Sequence, residues 1–337
     1  MNKLLILPFL LLPLTLRAAD VVPDGTLIAN GQSANTYEWI TSHGYQVEPP
    51  DRSRQHASVP FQHVQQTWDS SLGSYVFQFF IHALIDDDRG LANVNDRQRC
   101  ELKTSAQSPA FMVGQEGDSV VMRWKFLLPE GMITTNRFTH IHQLKGIDNK
   151  AGTADVSYPL ITFTCCTVTS SSPRQELQVR WQDRFNRNKT TYLARTDLKP
   201  LLGQWLEAEE CVRYGANGSY SVVIRNVKTG AEVLRVSTRK LDMWRTDCAG
   251  LRPKWGIYRY IGDNRSMENQ LRDEELHFAD FAIVPVTTTG INTIGGQNSH
   301  SDAAVYNLLG QRVPSEASLF NGIYIVGGRK VVVSKQK

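Results

Sequence analysis

The sequence predicts an all-β protein: a β-jelly roll of two packed sheets, followed by a small C-terminal β domain. Three observations point there. Apolar and aromatic segments of strand length recur along the chain, turn residues separate them, and helical periodicity is rare. In order, strands are expected at 75–85 (YVFQFFIHALI), 96–103 (DRQRCELK), 119–128 (SVVMRWKFLL), 137–146 (RFTHIHQLKG), 159–166 (PLITFTCC), 176–181 (ELQVRW), 205–214, 220–226, 255–260 and 276–286. The stretches 214–219 (YGANGS) and 228–230 (KTG) sit where hairpin connections are needed. The segment 196–202 (TDLKPLL) is the best candidate for a helical turn.

Composition bounds the function. Of 337 residues 41% are hydrophobic, which excludes a disordered chain, and 37 basic against 33 acidic side chains are too mixed to imply a nucleic-acid partner. The N-terminus is more specific. Met1-Asn2-Lys3 gives a basic start, Leu4 to Leu16 an apolar run too short to span a membrane, and Ala18-Ala19 a small-residue cleavage site. A secretory signal peptide over 1–19 is therefore expected, with a main domain at 20–286, a glycine-bearing polar linker at 287–303 and a new unit at 304–337. The expected product is a secreted or cell-surface monomer with no transmembrane segment. Five cysteines then enter a compartment where disulfides form, and the expectation is buried thiols with one or two bridges.

The segment 137–146 needs a special explanation, because a strand normally alternates apolar with polar residues, whereas His140, His142, Gln143 and Lys145 crowd together here. Two further segments are unusual. Alternation puts Arg97, Arg99, Glu101 and Lys103 on one face of their strand, which cannot be a core face without extensive pairing. It also puts Lys254, Gly256, Tyr258 and Tyr260 on one face, with Trp255 and Ile257 toward the core. Gly256 would leave room for a ligand to approach the backbone.

Together these three segments resemble the jelly-roll polysaccharide lyases, concanavalin-like sandwiches that cleave uronic-acid polymers and include alginate, glucuronan, ulvan and heparin lyases. Arg99-Cys100-Glu101-Leu102 is similar to the Arg-x-Glu-Leu strand of that group, and Lys254-Trp255-Gly256-Ile257-Tyr258 to its Lys-x-Gly-x-Tyr strand. Gln143-Leu144-Lys145-Gly146 takes the place of a Gln-x-His motif, with Lys145 where histidine usually stands. A second register would use His140-Ile141-His142 instead. The whole phrase His-Ile-His-Gln-x-Lys-Gly resembles the ulvan and glucuronan types, and it is the first register that the resemblance favours.

The resemblance implies an endo-acting β-elimination on an anionic polysaccharide, without a required cofactor. Such a reaction needs the uronate carboxylate neutralised, a base for the C5 proton and an acid for the leaving oxygen. Arg99 and Gln143 are implied to bind the carboxylate, with His142 as a helper. Tyr258 is implied as the proton donor, and either Tyr258 or Lys145 as the base. No metal is expected at this site. Asp86-Asp87-Asp88 reads as a loop that could hold a structural calcium, though a solvated turn explains it as well. Glycosidase-like paired carboxylates, a Gly-x-Ser-x-Gly elbow and a His-Glu-x-x-His helix are absent from the sequence. The alternative is a non-catalytic carbohydrate-binding sandwich using Trp205 or Tyr260 as platforms.

The C-terminal unit opens with Tyr306-Asn307-Leu308-Leu309-Gly310-Gln311, continues through Gly322-Ile323-Tyr324 and ends in a basic, valine-rich stretch. It resembles the sorting domain of the bacterial type IX secretion system, which implies that machinery as a partner. An autonomous β-hairpin appendage is the plainer alternative.

Overall fold

A computed structural model describes residues 24–52, 56, 58–91, 93–183 and 190–286, and in the C-terminal unit 305–307, 312–313, 322–326 and 329–333. The expected signal peptide and linker lie outside the described residues, as does the 308–311 part of the sorting motif. The chain divides into two compact units, Met1–Val284 and Pro285–Lys337.

The first unit is a sandwich of two antiparallel sheets. Its strands are β1 (Thr26–Leu27), β2 (Gln46–Glu48), β3 (Val64–Asp69), β4 (Ser74–Ile81), β5 (Arg97–Lys103), β6 (Ser119–Leu127), β7 (Thr139–Ile147), β8 (Ile161–Val168), β9 (Arg174–Gln182), β10 (Thr190–Asp197), β11 (Trp205–Arg213), β12 (Gly215–Asn226), β13 (Glu232–Met243), β14 (Gly250–Tyr260) and β15 (Glu274–Pro285). One sheet runs β13-β12-β11-β6-β15-β4-β3 with β1 added on β15, and the other runs β10-β9-β8-β7-β14-β5-β2. One α-helix, α1 (Thr36–Ser42), and a 3-10 turn at Lys199–Leu201 complete the main features, the turn falling inside the segment expected to be helical.

A single apolar cluster fills the space between the sheets. Phe77 and Phe79 of β4, Trp124 and Phe126 of β6 and Phe278 and Phe281 of β15 meet Leu102 of β5, Phe163 of β8 and Trp255 of β14. In β15 the inward residues are Leu276 and Phe278 and then Phe281 and Ile283, so alternation shifts by one at Asp280, whose φ is +54°. Such a bulge lets a twelve-residue strand keep its apolar face inward over its whole length.

Strand positions follow the sequence closely where side chains alternate cleanly. The expected 214–219 turn is different: Gly215 to Ser219 belong to β12, and the pairing with β13 is irregular between Gly215 and Tyr220. Strands β2, β3, β10 and β13 carry too many polar residues to announce themselves. The five cysteines are all free, which overturns the expectation of one or two bridges. Burial pushes the thiols of Cys165 and Cys166 up, so neighbouring thiols in this chain are protonated and inert rather than reactive.

The second unit is a four-stranded antiparallel sheet in the order β17-β16-β18-β19, with β16 at Val305–Asn307, β17 at Arg312–Val313, β18 at Gly322–Val326 and β19 at Arg329–Val333. No helix among the described residues is long and apolar enough to cross a membrane.

Candidate active site

The site is built on the outer face of the second sheet, where β5, β14 and β7 lie side by side. On β5, Cys100 and Leu102 turn to the core, so Arg97, Arg99, Glu101 and Lys103 share the opposite face, as alternation requires. Glu101, fully buried, is the hub. Its carboxylate accepts from Arg99 Nη1 and from Gln143 Nε2, and Lys254 Nζ stands 2.7 Å away. Lys254 also reaches Glu48 at 2.5 Å, and Glu48 in turn holds Lys103 at 2.7 Å and Arg89 at 2.8 Å. Burial alone would raise the carboxyls of Glu48 and Glu101. The surrounding cations, Lys254 first, outweigh it and hold both below the usual carboxylate range.

Arg99 is locked from three directions. Its Nε donates to Asp88 Oδ1 at 2.8 Å and its Nη2 to Asp88 Oδ2 at 3.2 Å, while its guanidinium carbon lies 3.7 Å from the centre of the Tyr258 ring. A planar cation so held is rigid and aligned over the phenol. Arg97 Nη1 donates to the Tyr258 hydroxyl at 2.7 Å. Burial pushes the Tyr258 phenol up against the opposing pull of Arg99 and Arg97, so it keeps its proton at neutral pH. A cleft of about 580 Å³ opens at this point, its walls including Asp88, Arg97, Arg99, Tyr258 and Asp263.

Strand β7 supplies the third wall, and it does so through a bulge. His140 pairs with Tyr258 of β14 and Thr164 of β8, but His142, only two residues on, pairs with Trp255 and Phe163. Two residues that should face the same way therefore face opposite ways. His140 turns outward, stacks on Phe138 with ring centres 4.8 Å apart, and lies 6.0 Å from the Tyr258 ring. Its Nδ1 is 2.8 Å from Thr164 Oγ1, and Nε2 has no hydrogen-bond partner among the described residues. Burial, then the charges of Arg180, Arg99, Lys145 and Lys254, hold this imidazole well below its ordinary range, so it is neutral.

The structure thus brings Arg99, Gln143, Lys145 and Tyr258 onto one face and leaves His142 out. His142 is fully buried among Trp124, Phe163 and Trp255, 3.1 Å from Glu210 Oε1 of the facing sheet. Glu210 also accepts from Trp124 Nε1 at 3.1 Å and Tyr220 Oη at 2.7 Å. The pair is a polar pin inside the core, which corrects the expectation that His142 assists at the substrate.

Lys145 shares the face but stands farther along it. It pairs with Arg252 and stands five positions along β7 from His140, roughly 15 Å of strand between backbone positions. His140, rather than Lys145, is the β7 side chain whose ring lies beside that of Tyr258. Burial and then Lys254 and Arg99 lower the Lys145 amine to about 8, yet its contact is the Ser157 carbonyl at 3.4 Å.

Gly256 is also not where a sugar approaches. A Cβ there would lie 2.2 Å from the Cys100 carbonyl oxygen, so the glycine serves the close approach of β14 to β5. Neither expected platform is open: Trp205 is buried with Nε1 donating to Asp69, and Arg137 lies 4.4 Å over the Tyr260 ring.

Sequence reasoning held His140 only as part of the alternative register and overlooked Lys254, Arg97, Glu48 and Asp88 as site residues. Alternation had already placed Arg97 beside Arg99 and Lys254 beside Tyr258. Glu48 and Asp88 come from a three-residue strand and a loop, which carry no pattern. The Asp86-Asp87-Asp88 turn is not a calcium loop. Asp88 is held by Arg99, Asp87 accepts from the Gly90 amide at 2.6 Å, and Asp86 is buried among the imidazoles of His56, His63 and His82 rather than among oxygen donors.

No protein-family model matches this chain, and no curated protein does. Among solved structures it is similar to the marine PL-14 alginate lyase from Aplysia kurodai, at 12% identity over 79% of this chain and 100% of the other, with a TM-score of 0.49. A family 7 alginate lyase solved with substrate gives 13% identity over 73% of this chain and 94% of the other, with a TM-score of 0.46. The endo-β-1,4-glucuronan lyase of the fungus Trichoderma reesei gives 11% over 71% and 94%, with a TM-score of 0.44. At such identities the groove's own side chains, rather than the likeness, have to carry the chemistry.

Proposed function

We propose that this chain is a polysaccharide lyase that cleaves a uronic-acid polymer by β-elimination. The observation that carries the proposal is the triad of Arg99 stacked on Tyr258 with His140 near the same ring, beside a polar cleft whose walls include Arg89, Arg97 and Arg99. With the Nδ1 proton donated to Thr164, His140 offers the Nε2 lone pair to the C5 proton of the uronate. The electron pair of that C–H bond forms the C4=C5 double bond as the C4–O bond breaks. Tyr258, protonated at neutral pH, gives its proton to the departing oxygen. Arg97, the remaining N–H groups of Arg99 and Gln143 neutralise the carboxylate and the enolate-like charge that develops on it.

A neutral imidazole held far down is a poor base, and the substrate itself corrects this. The four cations that depress His140 are offset when a polyanion binds among them, so the imidazole becomes more basic as substrate arrives. Lys145 and Arg252, farther along the groove, contact neighbouring sugars. A cleft on an open sheet face suits the interior of a chain and so an endo mode, and the His-Ile-His-Gln-x-Lys-Gly phrase favours glucuronan or ulvan as the polymer. We also infer export through the N-terminal leader, with the C-terminal unit read by type IX secretion machinery.

The test is absorbance of the unsaturated uronate product on glucuronan, ulvan, alginate and heparin. Product from at least one polymer is expected. Binding without product from any of them would replace this reading with a carbohydrate-binding module.

A further inference from the structure

We propose that His56, His63, His82 and Asp86 form a structural zinc site on the turn that carries Asp88. The donor atoms of the four side chains all lie within 4.8 Å of one another. His56 Nε2 is 2.8 Å and His63 Nε2 3.1 Å from Asp86 Oδ1, and His82 Nδ1 is 3.2 Å from Asp86 Oδ2. Zinc bonds of about 2.1 Å set tetrahedral ligand atoms about 3.4 Å apart, so the set has to contract by little more than an ångström at its widest. Three imidazoles with one carboxylate are a zinc donor set, whereas calcium takes six to eight oxygens.

Tautomers give a second, independent argument. His63 Nδ1 lies 2.6 Å from Asp51 Oδ1, and Asp51 Oδ2 accepts from the Tyr37 hydroxyl at 2.7 Å. An imidazole whose one nitrogen donates to a carboxylate presents a lone pair at the other, the outer-shell arrangement that orients metal-bound histidines. Asp86 and His63 are fully buried, His56 is nearly so and only His82 is partly exposed, so four protein ligands would complete a tetrahedral set, as structural rather than catalytic zinc requires.

His56 and His63 precede β3, and His82 and Asp86 follow β4, so the ion would join residues that lie outside the strands. Gln98 Nε2 donates to the carbonyls of His82, Ala83 and Asp86, tying the same turn to β5. Two residues after the last ligand, Asp88 grips Arg99. Zinc is thus a positioning element for the groove, without contact to the reacting atoms.

The experiment uses the full chain, purified, stripped with a chelator and reloaded with zinc, calcium or cobalt alone. About one zinc per chain by elemental analysis, a melting temperature lowered by chelator and restored by zinc but not calcium, and visible d–d bands of tetrahedral cobalt are expected. His82→Ala and His56→Ala should each lower zinc content at least tenfold, while His277→Ala on β15 leaves it unchanged. Should either variant fail to fold, the cobalt spectrum of the unaltered chain decides alone. Negligible zinc after loading, with an unmoved melting temperature and no cobalt bands, would overturn the proposal.

Discussion

At the scale of single residues, the groove divides its titratable groups by what surrounds them. Tyr258 is kept neutral by burial, so Tyr258→Phe should lower turnover by at least a hundredfold with binding retained, a split between kcat and KM read in the product-absorbance assay. His140→Ala should be as damaging, whereas Lys145→Ala should raise KM and leave kcat within about tenfold. Near-normal turnover of His140→Ala would return the base to Lys145. Away from the groove, Glu274 is raised to about 7 by burial, although the Ile133 amide and Arg272 pull it the other way. A carboxyl raised on folding binds more protons in the native state, so stability is lost as pH climbs from about 4.5 through 7. Glu274→Gln keeps an acceptor for the Ile133 amide and should stabilise the protein by about 1 to 3 kcal/mol at pH 8, with no gain at pH 4. Denaturant melts at the two pH values check this.

At the scale of the element, β5 and β14 were legible because their alternation is regular: apart from Gly256 every second residue from Arg97 to Lys103 and from Lys254 to Tyr260 is charged or aromatic, and the intervening Cys100, Leu102, Trp255 and Ile257 are apolar. Strand β7 was legible as a site but not as a face. Its bulge breaks the period of two, and a local insertion leaves no mark in residue types. Glu48 and Asp88 were illegible because their roles come from the fold bringing a short edge strand and a loop beside β5. Gly256 belongs to this scale as well. Its φ is +135° and it faces the Cys100 carbonyl, so Gly256→Ala should cost about 2 to 4 kcal/mol in a denaturant melt and disturb the Lys254–Glu101 contact beside it.

At the scale of the whole molecule, the two compact units make separate claims. The sandwich has its own core, pinned between sheets by His142 and Glu210, while the four-stranded unit is too small for a large one. A chain ending at Val286 should therefore melt at the same temperature as the full chain and keep its turnover, but fail to leave the cell that makes it. Unchanged export of the truncated chain, followed in culture supernatant, would remove the sorting role from the C-terminal unit.

The bulge at Ile141 also bears on how relatives of this chain can be found. A pattern with fixed spacing assumes that residues two apart point the same way, and across this strand they do not. The outward residues here read His-x-x-Gln-x-Lys, so a pattern demanding Gln-x-His, or any rigid two-residue step, passes over the site in either register. A descriptor that tolerates one extra residue between the imidazole and the amide, joined to Arg-x-Arg-x-Glu and Lys-x-Gly-x-Tyr, would gather proteins that share this groove while differing nearly everywhere else.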